Sequence, residues 1–431
     1  MSKNLALAIL LSFGILFAWD ALVMRPRRQQ MAPAAASPST PQTVSPPPAV
    51  GPAPATTAAP ERLRLVEYLV GRQRVAFNLF GGGVNQWTFE EKDRSWIPLL
   101  PDTGVAYRPF QVFPELEYTA DSPRTGTVRL SAERSDGLQV EKSFRISSQT
   151  YIHEMALTLK NRSKEPLTVS YDIGWGPGLE SGDTDPKEKI RSQRALAFEA
   201  PRLHKIKEGT RTVPARWWGL DARYFLAAFL SRGQNVHVSV DKINDHFVVK
   251  KSTTVELPPG ASFSETLPFY LGPKGYAQLA SLREGLERSV DFGFFGGLGR
   301  IVLRILYYFH RLTHNYGWAI ILLTLMVQIL TIPLTIHSFH HSQKMKAIQP
   351  QMKKIQELFK SDPKRLNAEM LNLYQRHGLK FMGMEGCFPI LVQLPVFWAL
   401  YTTLRNAYEL RGAPWIFWVR DLSVHDPFYI L

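Results

Sequence analysis

The sequence predicts an α-helical transmembrane bundle, three spans of it present, joined to a large antiparallel β-sandwich domain outside the bilayer. Three observations carry that expectation. Residues 5–24, 316–336 and 387–404 are apolar stretches long enough to cross a bilayer as helices. Residues 62–271 instead alternate apolar and polar side chains with period two, between turns rich in Gly, Pro, Asn and Asp. The net charge of +14 gathers at the borders of the apolar stretches: Arg25, Arg27 and Arg28 after the first, Arg300, Arg304 and Arg311 before the second, and nine Lys/Arg against four Asp/Glu between 337 and 386. Those places contribute 3, 3 and 5, hence 11 of the +14, and leave the long middle region nearly neutral.

Such basicity marks membrane flanks. A nucleic-acid binder would also be basic, but the sequence has no zinc spacing, no RNP-like aromatic motif and no glycine-rich phosphate loop with a lysine. Cys387 is the single cysteine, which excludes an internal disulfide and a multi-cysteine metal site.

Taken in order, residues 1–24 read as a signal peptide with an "AAA" cleavage site near Ala36 or as a retained anchor; three arginines directly after the apolar run favour the anchor. Within the linker at 25–61, residues 31–60 hold nine prolines and no charged side chain, so they cannot bury a core and form a partly extended tether. The β-domain at 62–291 follows, with around ten runs such as "YIHEMALTLKN" and "YFLAAFL" and a helix expected over 274–289. At 292–315 the stretch "GGLGRIVLRILYYFHRLTH" places Arg300, Arg304 and Arg311 within about 40° of one another on a helix, opposite an apolar face of Ile301, Val302, Ile305, Leu306 and Phe309. A cationic edge beside an apolar face is the pattern of a helix lying in the membrane interface; the alternative is an amphipathic helix packed on the β-domain.

The span at 316–336 leads into a helical hairpin at 337–386. There Met345, Ile348, Met352, Ile355 and Phe359 recur at helical spacing, "SDP" at 361–363 supplies a turn and a new N-terminus, and Leu366, Met370 and Leu373 repeat the pattern. Pro350 is expected to kink the first of these helices. Another span follows at 387–404, then a final segment at 405–431. The positive-inside rule makes the hairpin cytoplasmic and therefore puts the β-domain, the final segment and the N-terminus on opposite, opposite and same sides of it respectively. Arg25, Arg27 and Arg28 oppose that orientation locally, but the hairpin excess is larger and long domains translocate largely regardless of charge.

No catalytic constellation is present, so an enzyme is not expected. His310 and His314 stand at i, i+4 and His337, His340 and His341 cluster nearby, without "HExxH" and without further ligands. What remains is a polar stripe in an apolar span: Gln328, Thr324, Thr331 and Thr335 share a sector of about 60° on the helix. Threonine hydroxyls commonly bond their own helix carbonyls and glutamine commonly joins helices, so the stripe is either a packing device or the wall of a wet groove. A second intramembrane glutamine, Gln393, lies between Pro389 and Pro395.

The motifs "CFPILVQLPVFWALY" at 387–401, "ELRGAPWIFWVRDLSVHDPFYIL" at 409–431, "IPLT" at 332–335 and the basic "KMKAIQPQMKKIQ" closely resemble the YidC/Oxa1/Alb3 membrane protein insertases of the type found in Gram-negative bacteria. The resemblance covers the whole architecture and is most specific in 387–431. It implies a periplasmic β-supersandwich, residence in the inner membrane, and integration and folding of newly made membrane proteins, alone or with the Sec translocon and its accessory subunits, with no cofactor and no metal. It also implies a polar groove, in which Thr324 and Gln328 match groove positions; Thr331, Thr335, Gln393 and Tyr401 are the further candidates for that groove. In the hairpin Lys344, Lys346, Lys353 and Lys354 form a basic patch suited to ribosomal RNA, anionic lipid or an acidic targeting partner, such as a ribosome or a signal-recognition-particle receptor. The family usually carries an arginine where Gln328 stands, and its members continue beyond "DPFYIL" into further spans, so the chain reads as C-terminally truncated. Beyond nascent membrane proteins and these factors the expected partner is the lipid bilayer, with Arg300, Arg304 and Arg311 as interfacial anchors, and no DNA. The competing reading is a membrane-anchored β-domain receptor or tether.

Overall fold

The computed structural model describes residues 63–424 apart from 92–94, 106, 102–104, 181–185, 361 and 378–383. The expected anchor and proline-rich linker lie outside the described residues. Among the described residues seventeen strands, all paired antiparallel, form sheets of four, nine and four strands. The sequence suggests around ten runs; the strands it leaves out are either short and exposed, such as Trp96–Pro98 and Thr119–Arg124, or buried on both faces without alternation, such as Trp217–Asp221.

Where one face is buried the period-two signal is clean. Strand Ile152–Asn161 buries His153, Met155, Leu157, Leu159 and Asn161 and pairs with Leu138–Arg145 and Ser262–Pro273. Its inward face joins a core built on Phe77, Trp87, Phe110, Phe144, Trp175 and Phe269. Phe110 centres the aromatic packing, with ring centroids 5.4 Å from Phe144, 5.6 Å from Phe229 and 4.8 Å from Phe269.

Strands Trp217–Asp221 and Phe225–Leu230 are buried on both faces. Their outer face belongs to a second core: Leu196, Trp217, Leu226, Ala228 and Tyr270 meet Leu279, Leu286 and Val290, and then Val302, Leu303 and Leu306. That double burial explains why "FLAAFL" is apolar throughout rather than alternating. The expected helix at 274–289 is two short pieces, α2 at Tyr276–Ser281 and a 3-10 turn at Leu286–Ser289, with Gly285 between them at φ 80°. A short helix, α1, occupies Pro186–Ser192.

Helix α3 spans Gly296–Thr313 and α4 spans Tyr316–Leu358. Between them Asn315 caps α4: its Oδ1 accepts from Gly317 N at 2.9 Å and Trp318 N at 3.3 Å. Helix α4 continues for 43 residues through both Pro333 and Pro350, so the expected border between span and hairpin at 336/337 is not a break in the helix. Helix α5, Pro363–Arg376, starts as the "SDP" signal requires: Pro363 opens the first turn and Asp362 accepts from Lys364 N and Arg365 N at 3.1 and 3.2 Å. It packs on α4 through Ile348 and Leu373, flanked by Met345, Met352, Ile355 and Tyr374. Helix α6, Met384–Asn406, holds the last apolar stretch. Among the described residues one segment, Tyr316–Pro333, is a helix long and apolar enough to count as a membrane span by itself; of the other two expected spans, 5–24 lies outside the described residues.

Candidate functional site

The polar stripe occupies an uncovered face of α4. Ala319 and Leu323 are fully buried in the second core, and Gln328, Thr324 and Thr335 lie on the opposite side of the helix, all exposed, with Thr331 half-buried. Each hydroxyl bonds a carbonyl of its own helix: Thr324 donates to Ile321 O at 2.8 Å, Thr331 to Gln328 O at 2.9 Å and Thr335 to Thr331 O at 2.9 Å. Their hydrogen atoms are therefore spent locally while their oxygens stay available as acceptors. Among the described residues no hydrogen bond joins Gln328 to Gln393, so the two glutamines do not form the interhelical pair that would hold them as packing devices.

On α6 the exposed row is Gln393, Phe397 and Tyr401, four residues apart, and the buried side carries Ala399 and Thr403. Arg405 extends the row, its Nη1 3.4 Å from the Tyr401 hydroxyl. The buried side lies against α3 at Gly299, whose missing Cβ would stand 2.9 Å from Thr403 Oγ1 and 2.9 Å from Phe292 Cβ. Thr402 Oγ1 donates to Phe292 O at 3.0 Å and Asn406 Nδ2 to Asp291 O at 2.8 Å, so the top of α6 is pinned to the chain entering α3. Gly299→Val is expected to force α3 and α6 apart and cost about 1–3 kcal/mol, read as a lower thermal midpoint of the detergent-solubilised chain.

Helix α3 packs one face on the β-domain and leaves its cationic edge uncovered. Val302, Leu303 and Leu306 bury against the β-domain, while Arg300, Arg304 and Arg311 are exposed along one edge. Between these faces runs an exposed apolar row, Ile301, Tyr308 and Leu312, which neither core covers. Residues that the sequence reading did not single out fasten the β-domain to the helices. Arg411 Nε donates to Glu91 Oε1 at 2.8 Å, Arg405 Nη2 to Glu188 Oε2 at 2.5 Å and Arg223 Nε to Arg405 O at 3.1 Å. Glu409 accepts from Tyr276 N at 3.1 Å and from the Tyr307 hydroxyl. Asn315 Nδ2 donates to Pro414 O at 3.2 Å, and Trp415 covers Gly317 so closely that a Cβ there would stand 2.1 Å from its ring. Asn315 was legible as a helix-capping residue before an apolar run; the others, distant in sequence from their partners, carried no local signal.

In the hairpin Lys344, Lys346, Lys353 and Lys354 are all exposed; Lys346, Lys353 and Lys354 lie on the half of α4 turned away from α5, and Lys344 flanks the face that α5 covers. They spread over about 180° of the helix rather than forming a tight patch. His310 stacks on Tyr316 with centroids 3.7 Å apart, which accounts for one of the paired histidines.

With this geometry in place, two family models match the chain: the 60Kd inner membrane protein model over residues 308–431 and the YidC periplasmic domain model over 102–305. A membrane protein insertase YidC from Endomicrobium trichonymphae is 40% identical over 359 residues, covering 81% of this chain and 67% of the relative. The chain belongs to the YidC family of membrane protein insertases. Its YidC relative from Geotalea uraniireducens is 27% identical and is matched across 100% of this chain and 87% of its own length. Against the YidC of Cupriavidus necator, 31% identical, the chain spans 58% of the relative's length. A solved active YidC insertase is similar over 84% of this chain and 78% of its own, at 16% identity and a TM-score of 0.32. The first family model takes in α4 to α6 and the polar stripe, the second most of the β-domain, so the YidC assignment reaches both halves of the described chain.

Proposed function

We propose that the chain integrates newly synthesised proteins into the inner membrane and assists their folding, alone or with the Sec translocon, by offering a polar face within the bilayer to the hydrophilic part of a substrate. The observation that carries this reading is the row Thr324, Gln328, Thr331 and Thr335, set on an apolar helix on the side opposite its buried contacts. An amide and three hydroxyl oxygens facing hydrocarbon would cost several kcal/mol without water or a polar ligand. Gln393 and Tyr401 on α6 extend the same surface chemistry. Because Gln328 is neutral, this face binds by hydrogen bonding and supplies no positive charge for acidic substrate segments.

The remaining assignments follow from the same reading. Nine Lys/Arg between 337 and 386 place the hairpin in the cytoplasm and the β-domain in the periplasm, with the N-terminus cytoplasmic. Lys344, Lys346, Lys353 and Lys354 then meet a ribosome or a targeting receptor, and Arg300, Arg304 and Arg311 anchor α3 at the membrane surface. The domain borders stand at 24, 61, 291, 315, 336, 386 and 404, with the hairpin border functional rather than a change of element.

Cysteine reactivity in the membrane-embedded chain, on a Cys387→Ser background, tests the groove. Thr324, Leu325, Gln328 and Ile329 all project away from the protein, so reactivity separates water from lipid. Cysteines at Thr324 and Gln328 are expected to react with a water-soluble thiol reagent added from the cytoplasmic side, and those at Leu325 and Ile329 to stay inert. Four inert positions would end the groove reading for this helix.

A further inference from the structure

A cavity of about 690 Å³ opens where α3 leaves the β-domain. Its walls carry Lys205, Arg288, Arg300 and Arg304, all exposed. Among the described residues none of these four makes an ion pair at contact distance, and Lys205 acts on Asp291 only at longer range. Two carboxylates also line it. Asp291 is already engaged by Arg194 and by its own turn, where it accepts from Gly293 N at 2.9 Å; Glu287 is uncommitted, with one buried oxygen lacking a hydrogen-bond partner. Four free cations facing one free carboxylate leave a local excess of three positive charges.

The other lining is apolar: Leu203, Val290, Phe292 and Phe294, the last 89% exposed. From Phe294 the uncovered row Ile301, Tyr308 and Leu312 continues along α3, beside the cationic edge. A soluble anion would use the cations and leave this apolar surface in water, whereas a lipid uses both, phosphate on the guanidinium groups and acyl chain along the row.

We propose that this cavity is a headgroup site for an anionic phospholipid, recognised through its phosphate by Lys205 and Arg288 of the β-domain together with Arg300 and Arg304 of α3. The proposal rests on α3 lying in the membrane interface, and it adds a defined lipid site that links the β-domain to the bilayer. Two measurements on the full chain in phosphatidylcholine vesicles keep the premise and the proposal apart. A fluorophore on Leu312→Cys, with Cys387→Ser, should be quenched by lipids brominated on their chains; absence of quenching overturns both the interfacial placement and the site. Spin-labelled phosphatidylglycerol should then be immobilised by the chain about fivefold more than spin-labelled phosphatidylcholine, the scale for one or more basic side chains at a lipid surface. The combined Lys205→Gln, Arg288→Gln, Arg300→Gln, Arg304→Gln variant should lose that preference, and Arg311→Gln, outside the cavity, should retain most of it. Quenching at 312 without a headgroup preference, or a preference that survives the fourfold variant, overturns the site alone. A preference abolished by soluble glycerophosphate at matched ionic strength would assign the cavity to free phosphates and overturn the lipid as its ligand.

Discussion

Asp221→Ala is expected to destabilise the β-domain by about 3–5 kcal/mol, the scale for removing the counter-charge of buried cations. Asp221 is fully buried at the end of strand Trp217–Asp221, directly opposite Arg194 in the sheet register. Its Oδ1 stands 2.6 Å from Lys274 Nζ, and its Oδ2 accepts from Arg194 Nε at 2.9 Å. Lys274 is itself buried, which pulls its ammonium below the usual lysine range against the attraction of Asp221. Removing the carboxylate would leave two cations facing each other with one remaining acid, Asp291, on Arg194 alone. Urea unfolding followed through the fluorescence of buried Trp87, Trp175, Trp217 and Trp218 measures the loss. Pairing Asp221→Leu with Lys274→Met should recover part of it, since the apolar pair has no charge to desolvate. A loss below about 1 kcal/mol for the single substitution would mean that water reaches the cluster.

The β-domain is also expected to weaken in acid through His153. Its ring is buried beside Trp87 and Phe269, at centroid distances of 5.1 and 5.3 Å, and its Nδ1 accepts from Ser147 N at 3.1 Å. Burial, partly opposed by a backbone hydrogen bond at Leu271, pushes the imidazole pKa down to about 3. The unfolded chain, with an ordinary value near 6.5, takes up the proton first as pH falls. Stability from this group is therefore complete above about pH 6.5 and is lost progressively towards pH 3, by about 5 kcal/mol in total at about 1.4 kcal/mol per unit. His153→Gln should flatten that part of the pH profile relative to the parent chain, whose carboxylates contribute equally to both. Parallel profiles for the two proteins would contradict the assignment.

Much of the architecture was legible because it rests on periodicity. The strand at Ile152–Asn161, the apolar span and the cap at Asp362 each follow from side chains within a few residues of one another. The strand at "YFLAAFL" was legible as well; what escaped was burial and continuity that depend on distant neighbours. "FLAAFL" is apolar on both faces because α3 and the turn at Leu286–Ser289 cover a sheet that a simple sandwich would leave in water. Continuity of α4 escaped because proline and charge mark a border in composition that the backbone does not respect. In the candidate site, helical spacing places Gln328 on one side of α4 with the three threonines, where Thr324, Gln328 and Thr335 are exposed and Thr331 is half-buried. Spacing could not indicate that each hydroxyl is already bonded to its own helix, nor that Asp291, Arg405, Glu409 and Arg411 join the β-domain to α6 and the segment after it.

The uninterrupted α4 has a mechanical consequence. Its 43 residues make a rod about 64 Å long at about 1.5 Å per residue, roughly twice the thickness of bilayer hydrocarbon. One end is clamped to the β-domain through Ala319 and Leu323 and to the segment after α6 through Asn315, and the other is stiffened by α5. The compliant point lies between them at Pro333, where the carbonyl of Ile329 has lost its helical donor. About 38 Å of rod extends from there to Leu358, so a tilt of only about 5° carries its tip through about 3 Å. Run in reverse, the same leverage turns a push on the hairpin into rotation at the level of Thr331 and Thr335, within one turn of that fulcrum.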